Sequence, residues 1–241
     1  MKKLFFILSI SIGLIGCSSI QLEAVSTSQE ETNRILAMGL THEENLIEAK
    51  KLSNDHMRSV VSLQLSNAQD EKIQKELDLI ESAKYSEMVL VSENKLNFIG
   101  PDLVKKVKKG VLETDIDTQT LNLRSIKNTN GNIEHTLIVK IEHISYNKRS
   151  FVSANLCDTW GRCEGDQLQF NLVSSNSTNC TTTGCNHADV MEFSFSDEFL
   201  RSKINDTGFT NGFTMRINRK RFSNKINVPS AYLVGYLNVA K

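Results

Sequence analysis

A chain of 241 residues with 28 basic and 28 acidic side chains has no basic excess, which argues against a general nucleic-acid binder. Two prolines in that length exclude a Pro-rich spacer, and no internal repeat is visible. The even total conceals a polarity: residues 23–87 hold 13 acids and 7 bases, whereas 201–225 hold 7 bases and one acid. Such asymmetry marks either an interaction surface or a solvated face.

The chain begins MKKLFFILSISIGLIGCSS. Lys2 and Lys3 precede an apolar run from Leu4 to Ile15, too short for a bilayer span of roughly 20 residues and laid out as an export signal. Leu14, Ile15, Gly16 and Cys17 resemble the lipobox of bacterial lipoproteins. The resemblance covers only the first 19 residues. It implies a signal peptide over 1–16, a diacylglycerol on the Cys17 thiol, cleavage before Cys17, and often acylation of the new amino group by a palmitate-type chain. Two or three acyl chains anchor a protein effectively permanently. Ser18 stands where an aspartate would retain such a protein at the inner membrane, so the outer membrane of a Gram-negative envelope is the expected address.

Residues 17–87 are expected to form the anchor and a helical tether. Ser28–Glu31 and Thr41–Glu44 have the capping-box spacing. Ile73, Leu77, Ile80 and Lys84 recur at helical intervals, with Glu76, Asp78 and Glu81 on other faces. Ser53–Asp55 and Ser66–Asn67 punctuate the segment, predicting two or three helices instead of one. The narrow apolar stripe needs a partner helix or the following domain to cover it.

Residues 88–241 are expected to form a β-rich domain. Gly100–Gly110 places Lys105, Lys106, Lys108 and Lys109 on a short helix. From Gln119 the period becomes two, and Asn130–Gly131 predicts a hairpin turn. Further strands are expected at 150–157, 167–174, 189–196, 209–218 and 222–228. A helical turn should follow the Ser196 cap over 197–203, and the closing PSAYLVGYLNVA reads as a helix or a strand, with Pro229 at a first helical position favouring the helix. The fold class is therefore α+β: a helical tether followed by a mainly antiparallel β-sandwich.

After Cys17, four cysteines remain, at 157, 163, 180 and 185. In an oxidising compartment an even set reads as a disulfide framework. The expected strand 167–174 separates the two pairs by roughly 30 Å at ~3.3 Å per residue, and a disulfide needs Cα atoms within ~7 Å. Local pairing, Cys157–Cys163 and Cys180–Cys185, is the choice compatible with these strands. Cys180, Cys185 and His187 could supply three metal ligands, but their spacing is not a common zinc pattern. Neither pair has the C-x-x-C redox spacing. No metal or cofactor is expected.

The loop CDTWGRC encloses Trp160 and Arg162, residue types enriched at binding hot spots. Trp160 either faces a partner or folds back on the sandwich. The segment RINRKRFSNK contributes Arg216, Arg219, Lys220 and Arg221, suited to lipid headgroups, lipopolysaccharide phosphates or the acidic helical segment. The five histidines show no common site: His135 and His143 share a strand face but lie roughly 26 Å apart at ~3.3 Å per residue. No catalytic motif is recognisable. The expected function is that of an anchored, non-catalytic binding or assembly protein with an envelope protein partner. The alternatives are a protective lipoprotein of the immunity or exclusion type, and an envelope hydrolase.

Overall fold

The computed structural model describes residues 27–108, 116–158, 161–205, 212–220 and 222–241. The described residues divide into two compact units, up to Ile73 and from Gln74, and the boundary falls inside one long helix. The signal peptide and Cys17 lie outside the described residues.

In the first unit, helix α1 (27–36), helix α2 (His42–Lys50) and the start of helix α3 (Asp55–Met88) follow one another. Thr41 and Glu44 make the reciprocal capping box that their spacing predicts. Ser28 instead lies inside α1, where its carbonyl accepts from Thr32 Oγ1 at 2.9 Å. The break at Ser53–Asp55 is real: Asn54 Oδ1 accepts from the Met57 backbone N–H at 3.1 Å and starts α3. The break expected at Ser66–Asn67 is not. Ser66 returns its hydroxyl to the Ser62 carbonyl at 3.0 Å, which leaves the helical ladder intact, and α3 continues for 34 residues. Ile35, Ala49, Val61 and Leu65 form a small core with Leu46, Leu52 and Met57 around it.

The second unit begins with the rest of α3, and the stripe expected from Ile73 onward faces the wrong way. Ile73, Leu77 and Ile80 are exposed, while Asp78 and Ser82 are buried. The buried face is set by the closing helix α5 (Ser230–Val239), which offers Gly235 to α3. A Cβ on Gly235 would stand 2.4 Å from the Ser82 carbonyl oxygen and 2.7 Å from Tyr85 Cβ, so only glycine permits this approach. Ser86 Oγ donates to the Gly235 carbonyl at 2.8 Å, and Tyr85 meets Tyr232 edge-on at 5.3 Å. Small polar residues, not the apolar stripe, make the close contact.

Two antiparallel sheets follow. The first holds β1 (Leu90–Val91), β2 (Asn97–Ile99), β4 (Ile116–Lys127), β5 (Ile133–Ser145), β9 (Gly184–Ser196) and β8 (Asn171–Thr181) in that order, with β3 (Leu103–Lys108) also paired to β4. The second holds β11 (Ser223–Val228), β10 (Phe213–Arg219), β6 (Phe151–Leu156) and β7 (Gln167–Leu168). The β4–β5 hairpin turns where Asn-Gly predicts, with Gly131 at φ +87°. Inward side chains of both sheets, among them Leu123, Leu137, Val139, Met191, Met215 and Ile226, share one core with Tyr232, Leu233, Tyr236 and Leu237 of α5.

Several expectations are corrected. The lysine-rich segment at 105–108 is strand β3, because its residues pair with Ile116 to Gln119 of β4; Lys109 lies outside the described residues. Strands β1 and β2, too short for a periodicity signal, were not expected. The strand expected at 167–174 is two, β7 and β8, split at 169–170 and divided between the sheets. The helix after Ser196, α4, runs over Asp197–Asn205, with Ser196 Oγ capping the Phe199 N–H at 3.1 Å. Pro229 caps α5 from outside instead of occupying its first position. Both disulfides are local, Cys157–Cys163 and Cys180–Cys185, the second clasping the β8–β9 hairpin.

Candidate functional site: a cationic groove

Inward positions that are apolar along most of each strand turn polar at one end of the sandwich. On β4 the inner face runs Leu123, Leu121, Gln119, Asp117; on β10 it runs Phe213, Met215, Ile217, Arg219; on β11 it runs Val228, Ile226, Asn224. Lys105 and Val107 of β3 lie directly opposite Gln119 and Asp117 and so share their face. A groove of about 1000 Å³ opens at this end, lined by Lys105, Lys108, Gln119, Arg219, Phe222 and Lys225 among others.

Its electrostatics are one-sided. Among the described lining residues Lys105, Lys108, Arg219 and Lys225 are cationic, and Asp117 is the only acid. Asp117 is already engaged: the buried Arg149 guanidinium holds its carboxylate bidentately, and Asn224 Nδ2 donates to it at 3.2 Å. Burial pushes the Arg219 guanidinium below its usual range, against the opposing pull of Asp117, and its plane covers the Phe222 ring at 5.4 Å. Gln119 is only 4% exposed, yet its Nε2 makes no hydrogen bond among the described residues; the same holds for Arg219 Nε and Asn224 Oδ1. A buried polar group left unpaired costs about 1–3 kcal/mol. Donor-rich, partly desolvated and cationic, this pocket is suited to receiving an anion.

The clamped loop borders the same surface. Arg216 Nη2 donates to the Cys163 carbonyl at 2.9 Å, and Lys225 Nζ lies 3.3 Å from where a Cβ on Gly161 would stand. Arg216 and Lys225 are direct cross-strand neighbours, an arrangement of like charges that disfavours the pairing. Lys220 is exposed in the β10–β11 turn. Arg162 reaches back to Asp158 of its own loop at 3.0 Å. Trp160 and Arg221 lie outside the described residues. Thus the groove gathers Arg219 and Lys225 with Lys105 and Lys108, more than 100 positions away in sequence, while Arg216 is held outside its lining on the Cys163 carbonyl.

Two histidine clusters were not foreseen. Ser125 and His135 face each other across β4–β5, with Ser125 Oγ 2.6 Å from His135 Nδ1 and His135 Nε2 3.1 Å from Asp197 Oδ1. The Ser–His–Asp order invites a nucleophile reading. However, Ser125 is buried, and the Tyr236 hydroxyl stands 2.5 Å from its Oγ. With His135 Nε2–H donating to Asp197, Nδ1 accepts from the Ser125 O–H, and the Tyr236 hydroxyl lies between Ser125 Oγ and the Phe98 carbonyl, 3.3 Å away. Burial lowers the His135 pKa, outweighing the Asp197 carboxylate that raises it. Burial would raise the Asp197 carboxyl, but hydrogen bonds from Arg201 and His135 bring it below the usual range. The array joins β4, β5, α4 and α5 as a strut.

The second cluster corrects the expectation that the histidines stay apart. His143 and His187 are register partners on β5 and β9 and stack at 4.9 Å. His187 Nε2 donates to the Ser145 carbonyl at 2.9 Å, and Ser177 Oγ is 2.8 Å from Nδ1. Cross-strand register, not sequence spacing, makes this pair. Among the described residues no group of three His, Cys, Asp or Glu is placed to hold a metal, and no helix is long and apolar enough to cross a membrane.

No protein-family model, curated protein or solved structure matches this chain.

Proposed function

We propose that this chain is a lipid-anchored envelope protein, held at the outer membrane through Cys17, that works by binding an anionic partner in the groove between β3 and the β10–β11 hairpin. The observation that carries the reading is that Lys105, Lys108, Arg219 and Lys225 line one groove with Gln119, whose buried Nε2 has no partner among the described residues. Retaining buried polar atoms without partners lowers stability, and such a cost is repaid when a bound group satisfies them. The LIGC motif at 14–17 supports the anchor, and the acidic excess of 23–87 keeps that segment away from acidic membrane surfaces. The role is that of an accessory protein that docks an envelope protein partner near the membrane.

The test is site-specific photocrosslinking in the native cell with the full chain, from Phe222 in the groove and from Val152, exposed but outside it. A partner captured at Phe222, absent at Val152 and lost in Lys225→Glu would support the reading. Identical products from both positions would contradict it. Metabolic labelling with a palmitate analogue checks the anchor: Cys17→Ser should remove the label.

A further inference from the structure

The β11 edge shows how a partner would be held. Arg219 N–H donates to the Phe222 carbonyl at 2.7 Å, so residues 219 and 222 form a hydrogen-bonded pair at the turn. In an antiparallel ladder such pairs alternate with pairs whose backbone groups point outward. The register continues Asn218↔Ser223, Ile217↔Asn224, Arg216↔Lys225, Met215↔Ile226, Thr214↔Asn227. Ser223, Lys225 and Asn227 therefore turn their N–H and C=O groups away from β10. On that side β11 is the terminal strand of its sheet and pairs with no other among the described residues. These same three residues line the groove.

Lysines on an edge strand ordinarily deter adventitious pairing. A deterrent edge has no use for a buried donor-rich floor, whereas Gln119 Nε2 and Arg219 Nε lie buried in the same groove without partners among the described residues. An edge guarded in this way repels basic strands and accepts acidic ones.

We propose that the partner contributes an extended, acidic segment that adds as a strand to β11. Its backbone pairs with Ser223, Lys225 and Asn227, and carboxylates on the face it shares with Asn224 meet Lys105, Arg219 and Gln119, while Lys225 and Lys108, on the other faces of β11 and β3, add to the attraction for an acidic segment. Strand addition of this kind takes affinity from the main chain and specificity from alternate side chains. The inference rests on the groove being the binding site, and deepens that reading by naming the class of partner.

The test titrates the isotope-labelled full chain with a short peptide of alternating Glu and Val, the same peptide N-methylated on alternate residues, its Lys–Val counterpart, and inorganic polyphosphate. The Glu–Val peptide should bind and slow amide exchange at Ser223, Lys225 and Asn227. N-methylation and Lys225→Glu should each weaken it by about tenfold or more. Lys225→Glu also relieves the repulsion with Arg216, so its loss of binding would not be a loss of fold; a Tm at or above that of the parent confirms this. Groove shifts without amide protection, or indifference to N-methylation, overturn strand addition while leaving the groove an anion site. Polyphosphate binding in preference to the peptide has the same consequence. If no anionic probe perturbs the groove, the binding reading falls as well.

Discussion

Two clusters of buried polar groups in the same sandwich are treated in opposite ways. Around α5, the Tyr236 and Ser125 hydroxyls and the His135 ring satisfy one another, and the Tyr232 hydroxyl accepts from the Leu123 N–H at 2.9 Å and donates to the Pro101 carbonyl at 3.1 Å. In the groove, Gln119 Nε2, Arg219 Nε and Asn224 Oδ1 are left without protein partners among the described residues. A completed network contributes rigidity, because each of its members is expensive to remove. An incomplete one offers little stability and much receptivity. The contrast separates a strut that resembles a catalytic triad from a site with no recognisable motif.

The largest expected effect comes from breaking the strut. Tyr236→Ala removes a fully buried ring and should cost about 3–5 kcal/mol in urea unfolding. Tyr236→Phe keeps the ring, and should still cost about 1–3 kcal/mol if the hydroxyl network matters. A change in binding without a change in stability in either variant would blur the distinction between the two clusters.

Reducing the two bridges comes next. They close loops with sequence separations of 6 and 5, and loops this short contribute about 2 kcal/mol each in the chain-entropy account. Replacing Cys180 and Cys185 by serine should lower stability by that amount and leave the groove intact. Replacing Cys157 and Cys163 should also weaken binding, because Lys225 of the groove meets the same loop at Gly161.

The strut also has a pH signature. His135 has a folded pKa below its ordinary 6.5, so the unfolded chain binds the proton more readily. Its contribution to stability is complete above pH 6.5 and is lost as pH falls from there through the lowered folded value. His135→Gln should flatten that part of the stability–pH curve, as followed by urea midpoints.

How far the two clusters could be foreseen depends on what each rests on. The β4–β5 hairpin follows from period-two alternation and Asn-Gly, and α5 from the Pro229 signal, whereas the two disulfides pair locally as expected although the single strand invoked to separate them is split between the sheets. The groove left a fainter trace. In IDTQTLNL, the inward positions read Asp, Gln, Leu, Leu, a polarity switch visible only once the face is known. Lys105 and Arg219 come together because β3 pairs with β4 and the sheets pack face to face, and neither contact has a local signal. The exposed stripe on α3 shows the converse: helical spacing of Ile73, Leu77 and Ile80 described a face, but Gly235 decided which face is buried.

Gln119→Met should have the smallest effect on stability. Removing an unpartnered buried donor should leave the chain within about 0.5 kcal/mol of the parent, or more stable. A loss comparable to Tyr236→Phe would show that Gln119 is already satisfied and that the groove is another strut.

The most direct test follows the side-chain amide of Gln119 and the Nε–H of Arg219 by NMR while the full chain is titrated with poly-glutamate. Both signals should move together and saturate, and Lys225→Glu should suppress the change. If both stay fixed while exposed lysines elsewhere respond, the groove does not receive anions and the account is wrong.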